Sequence, residues 1–79
     1  MRLDKYLKVS RLIKRRTVAN EICDSGKVSV NGRVARASYD VKVGDRVEIT
    51  FGERTTAFKV LLVKNNVRAN EAETMYEIV

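Results

Sequence analysis

At Gly26 the spacing of apolar residues changes, and this change constrains the fold more than any other feature of the chain. Upstream, apolar side chains recur every three or four positions; downstream, Val28 and Val30 alternate with Lys27 and Ser29. A repeat near 3.6 gives a helix one buried face and a repeat of two does the same for a strand, so neither stretch can change state without exposing its apolar set. Asn31-Gly32 follows at once, a pair that tolerates positive φ at both central positions of a type I′ turn. The chain is read as helices first and antiparallel strands second.

From Leu3 to Ile13 a wheel at 100° per residue puts Leu3, Tyr6, Leu7, Val9 and Ile13 on one arc and Lys5, Lys8, Arg11 and Arg15 on the other. Leu12 and Lys14 break the pattern side by side, so the first helix is expected to end between Ser10 and Ile13, leaving Lys14, Arg15 and Arg16 in a connection. Thr17 is the expected N-cap of a second helix whose buried stripe is Val18, Ala19, Ile22 and Cys23, with Gly26 closing it in the left-handed conformation. The pair reads as helix, basic turn, helix.

The strand-forming part is expected to hold the hairpin at Asn31-Gly32, then an alternation of Tyr39, Val41 and Val43 before the Gly44-Asp45 turn. Arg46 to Phe51 follows with Val47, Ile49 and Phe51 inward, and Gly52-Glu53-Arg54 turns the chain into a last strand at Thr56 to Val63. Asn70 to Val79 reads as a short helix packing Ala72, Met75, Tyr76 and Val79 on the sheet, although its end also has strand character. The expected class is α+β, two N-terminal helices on a small, mainly antiparallel sheet, in a single domain over residues 1–79.

Seventy-nine residues suffice for one small core and no more. There is no histidine, and Cys23 is the only cysteine, so imidazole triads, zinc sites and an internal disulfide are all unavailable. Cys23 falls on the apolar stripe and reads as a small core residue. The carboxylates are scattered over turns and exposed strand positions, and no glycine-rich phosphate loop is present. Catalysis by the chain, a metal and a cofactor are therefore not expected. No run approaches the ~20 apolar residues of a membrane helix, and cations interrupt the opening segment every three residues, so a cytosolic protein without a membrane partner is expected.

Sixteen basic residues face ten acidic ones, for a net charge of +6. The excess is not spread evenly. Residues 1–36 hold ten basic and three acidic side chains, a net of +7, while the remaining 43 residues hold six basic and seven acidic ones. Charge concentrated on one part of a fold makes a directional potential suited to phosphates. The candidate contacts are Arg2, Lys5, Lys8, Arg11, Lys14, Arg15, Arg16, Asn31 and Arg33. Arg16 leads, because a guanidinium can hold two phosphate oxygens at once and a helix start already favours an anion. A second helix lying in a DNA major groove is disfavoured, since Glu21 and Asp24 would face the duplex. Phosphates of structured RNA fit the surface better, and Tyr6 and Tyr39 read as core rather than as base-stacking residues.

Arg2-Leu3-Asp4 with Leu7, then Arg16 and Ala19, the run Gly26-Lys27-Val28-Ser29-Val30-Asn31-Gly32 and Val43-Gly44-Asp45 together resemble the RNA-binding domain named after ribosomal small-subunit protein S-four, over residues 1 to about 51. The whole chain, including the run from Arg11 to Thr17 and the late Met75-Tyr76, resembles the stand-alone RqcP family of bacterial ribosome quality-control factors. The resemblance implies a role on obstructed large ribosomal subunits, contacting large-subunit rRNA and tRNA beside a tRNA-recruiting partner protein that adds alanine tails without a template. It also implies that Arg2 and Arg16 are rRNA contacts. The small heat-shock protein that recycles blocked large subunits shares the domain but usually has a longer basic C-terminal extension, so the ending at Val79 favours the first family as the expectation. An adaptor for an acidic protein and an accessory domain of a separate enzyme are the rival readings.

Overall fold

The computed structural model describes all residues from Met1 to Val79. Two short helices, α1 (Leu3–Val9) and α2 (Arg16–Asp24), precede strands β1 (Val28–Val30), β2 (Arg33–Val34), β3 (Arg46–Phe51), β4 (Arg54–Val60) and β5 (Tyr76–Ile78), with a 3₁₀ helix over Ala69–Met75 before the last strand. The five strands form one antiparallel sheet in the order β2-β1-β3-β4-β5. The α+β expectation holds.

The period change at Gly26 is realised physically as a helix stop. Gly26 has φ +83°; its N–H donates to the Cys23 carbonyl and the Lys27 N–H to the Ile22 carbonyl, the paired bonds that close a helix through a left-handed residue. Asn31 and Gly32 then both take positive φ, and Val30 pairs with Arg33 across the turn. On the sheet, Val28 lies opposite Ile49, Val30 opposite Val47 and Val47 opposite Phe58, so the alternating residues stack into one buried face. Leu3, Tyr6 and Leu7 from α1 and Ala19, Ile22 and Cys23 from α2 complete the core with Val60 and Met75.

Several boundaries differ from the sequence reading. The extended residue that caps α2 is Arg15, so Thr17 lies inside the first turn and Arg16 opens the helix. Val18 is exposed, because the buried stripe runs through Ala19, Ile22 and Cys23 and leaves it one step to the side. Phe51 is also exposed: its parity is right, but it pairs with Arg54 at the hairpin tip, where Thr55 and Thr56 are exposed as well. Strand β4 begins two residues early and stops at Val60, since the Leu61 and Leu62 N–H groups both turn to the Met75 carbonyl. The C-terminal segment buries Ala72 and Met75 as expected, but as a 3₁₀ helix, and Tyr76–Ile78 then joins the sheet with Phe58 opposite Ile78 and Val79 exposed.

The stretch from Tyr39 to Val43, expected to alternate as a strand, forms none, and residues 37–41 bond to the start of the chain instead. The Leu3 N–H donates to the Tyr39 carbonyl (2.8 Å) and the Asp4 N–H to the Ala37 carbonyl (3.3 Å), so the crossover between β2 and β3 satisfies amides at the start of the helix. Val41 is buried by this arrangement and Val43 is not.

Candidate nucleic-acid interface

The bend between the helices is built from a strained residue and a buried one. Arg11 follows the end of α1 with φ +63°, a conformation that favours glycine, and its N–H donates to the Lys8 carbonyl (3.1 Å). Ile13 turns inward and its N–H reaches the Leu7 carbonyl (3.1 Å). The chain between them is thereby fixed, and Lys8, Arg11 and Lys14 line one shallow depression. None of these three has a carboxylate within 4.0 Å, nor does Arg15.

The bend delivers the chain to a helix start that nothing caps. The Arg16, Thr17 and Val18 N–H groups have no hydrogen-bond partner, and no acidic residue stands in the first turn of α2. The start of α1 is different, since the crossover carbonyls already occupy its first amides. Free amides, the positive end of the α2 dipole and the flanking Arg15 and Arg16 therefore converge at one place.

Arg2 and Arg16, which come from different helix starts, meet at a carboxylate that the sequence reading did not single out. Asp4 is only 3% exposed at its side chain; its Oδ1 lies 3.1 Å from Arg2 Nε and its Oδ2 3.5 Å from Arg16 Nε. The Lys5 N–H donates to Oδ1 (2.8 Å) and Asn20 Nδ2 to Oδ2 (3.2 Å). Burial pushes the Asp4 carboxyl up, but the hydrogen bonds from Arg2, Asn20 and the Lys5 amide, with the Arg16 charge, outweigh it and hold the group below its ordinary value. One carboxylate between two guanidiniums leaves a positive surplus, and both contacts run through Nε, so the terminal Nη groups of the half-exposed arginines are not engaged. A carboxylate three residues before the buried Leu7, one helical turn away, was the available sequence signal for Asp4.

The other candidates divide. Lys5 Nζ donates to Asn65 Oδ1 (3.2 Å), tying α1 to the segment after β4, and Lys8 and Arg11 border Asn65 and Asn66 as well. Asn31 has partners within the fold: its Nδ2 donates to Asp45 Oδ1 (3.0 Å) and its Oδ1 accepts from the Arg46 N–H (3.0 Å), so its amide holds the hairpin to the start of β3. Arg33 is exposed on β2 beside Val34 and Tyr39 and lines neither of the depressions at the helices. Tyr6 is fully buried and donates to the Met75 carbonyl (2.7 Å), while Tyr39 donates to Asp45 Oδ2 (2.9 Å); both are used by the fold. Cys23 is buried as expected, and burial, with the charges of Asp4 and Asp24, pushes its thiol up to about 11. The acidic residues form no metal-binding group, and no helix is long and apolar enough to cross a membrane.

Residues 1–47, which carry both helices, the hairpin and Asp45, match the S4 domain family. A curated relative from Streptococcus pneumoniae (strain ATCC BAA-255 / R6), the "RQC P-site tRNA stabilizing factor", is 56% identical over 79 residues, covering 100% of this chain and 90% of the relative. The chain belongs to the RqcP family. The RqcP relative from Bacillus subtilis (strain 168), with the same name, is 51% identical over 78 residues, covering 99% of this chain and 91% of its own. Among solved structures, the trimeric structure of heat shock protein 15 from Vibrio cholerae superposes with a TM-score of 0.90 at 30% identity, covering 100% of this chain and 81% of that one. The S4-type architecture of this RqcP-family chain is thus shared with a heat-shock relative as well.

Proposed function

We propose that this chain is a non-catalytic RNA-binding factor of bacterial ribosome-associated quality control, which holds tRNA on the obstructed large ribosomal subunit in the cytoplasm. In this reading, the cations at the inter-helix bend bind rRNA and tRNA phosphates in register while a tRNA-recruiting partner delivers the next tRNA. The step it supports is the template-free addition of alanine to the C-terminus of the stalled chain. The observation that carries the reading is the convergence of unpaired cations and unsatisfied amides at the bend, on a chain whose 56%-identical relative is named for stabilising P-site tRNA. Phosphate is the ligand that matches such a surface: binding releases counterions, and Arg forks hold two oxygens each.

Arg16 sits where the amides, the dipole and the guanidinium coincide. Replacing it, as Arg16→Ala, is expected to weaken association with large subunits carrying peptidyl-tRNA by ~1–3 kcal/mol, the range for a hydrogen-bonded charged contact. Co-sedimentation of the folded variant at wild-type level would remove the reading. Nuclease digestion separates the rival reading of an adaptor for an acidic protein, because an adaptor keeps its partner once the RNA is gone. The likeness to heat shock protein 15 supports large-subunit recycling as the second reading, and measuring whether the chain promotes alanine tailing distinguishes the two.

A further inference from the structure

Two guanidiniums held side by side repel each other, and each long side chain loses conformational freedom when it is fixed. Left alone, Arg2 and Arg16 would separate into solvent. In the structure they share Asp4, which is itself immobilised by the Lys5 N–H and Asn20 Nδ2 and is almost fully buried at its side chain. No buried polar side-chain atom here lacks a partner, so the carboxylate is fixed in one orientation with one oxygen turned to each arginine. No Nη group of either arginine donates to a protein acceptor, so the edge of each guanidinium formed by its two Nη groups is free for a second ligand.

We propose that Asp4 is a positioning residue for RNA: it joins Arg2 and Arg16 into one rigid pair whose outward Nη edges grip the sugar–phosphate backbone together. The inference rests on the RNA-binding reading above and adds a residue whose own charge opposes that binding. An acidic residue in a cationic surface ordinarily weakens phosphate capture, and here the arrangement it imposes outweighs its repulsion. The two arginines then act as a unit, so their contributions to affinity are coupled, and the coupling depends on Asp4.

The test measures binding of the full chain to purified large ribosomal subunits carrying peptidyl-tRNA, with thermal unfolding recorded for every variant. Asp4→Asn raises the net charge by one, yet is expected to weaken binding about tenfold, within the range of coupled neighbours. In an Arg2→Ala/Arg16→Ala background the same change is expected to do nothing further. Arg16→Lys, which keeps the charge but cannot be held through Nε while offering two donors, should bind like Arg16→Ala. The Arg2 Nε–H, hydrogen-bonded to Asp4, should exchange slowly with solvent and lose that protection in Asp4→Asn.

Tighter binding by Asp4→Asn, or an equal loss in the arginine-free background, overturns the inference and leaves the RNA-binding reading standing. Failure of Arg16→Ala to weaken binding sinks the reading itself. If Asp4→Asn does not fold, Arg16→Lys decides: wild-type binding by that surface variant overturns the pairing, and binding at the Arg16→Ala level sustains it.

Discussion

Arg11 carries its charge on a backbone that suits glycine, and the cost of the left-handed conformation for an L-residue is roughly 1–2 kcal/mol. Such strain persists where the side chain is useful, and Arg11 stands between Lys8 and Lys14 on the open face of the bend. Arg11→Gly is expected to raise stability by ~0.5–1 kcal/mol in urea unfolding, the net of relieved strain and greater unfolded-state freedom, while weakening RNA binding. Asp45 is the converse case, a nearly buried carboxylate that only the fold uses. Burial pushes its carboxyl up, but the Lys42 N–H, Asn31 and Tyr39 all donate to it and hold it below the ordinary 3.8. Because the unfolded chain then binds a proton more readily than the native one, the contribution is complete above the unfolded value and is lost as pH falls through the native one. Asp45→Asn should be less stable at pH 7 and should show a shallower further loss below pH ~4, read by thermal unfolding across a pH series. The Gly44-Asp45 turn was legible in the sequence, whereas the three donors were not, since they come from Asn31, Tyr39 and Lys42 and meet only in three dimensions.

At the scale of elements, periodicity located what it physically encodes. Ala19, Ile22 and Cys23 lie one helical turn apart and are buried; Val47 and Ile49 lie two apart and are buried. It failed where an apolar residue of the right parity sits at an exposed hairpin tip, as Phe51 does, and where hydrogen-bond demand from elsewhere ends a strand, as the Met75 carbonyl does after Val60. The cap of α2 was misplaced by two residues because Thr17 is a favoured capping type, and the structure leaves that end uncapped. The Tyr6 hydroxyl is one of three donors on the Met75 carbonyl, together with the Leu61 and Leu62 N–H groups. Tyr6→Phe leaves that acceptor satisfied, so it should cost only ~0.5–1.5 kcal/mol in chemical denaturation and leave RNA affinity unchanged.

For the whole molecule, the decisive property is that four cations of the positive half, Lys8, Arg11, Lys14 and Arg15, follow one another through the bend with no carboxylate within 4.0 Å. Binding should therefore weaken steeply with salt, and Lys14→Ala should reduce the slope of log affinity against log salt by about 0.7–0.9, as one lost phosphate contact does. Lys59→Ala, an exposed cation on β4 in the neutral half, should leave the slope unaltered in the same titration. The charge asymmetry was readable from the first 36 residues; the sharing of Asp4 was not, because it requires knowing that two helix starts come together. The bond between Tyr6 and Met75 spans 69 positions, nearly the full length of the polypeptide. A ribosome making this protein produces the first helix well before the segment that supports it, so the helix gains its complete seat only once Met75 has been made and has left the ribosome.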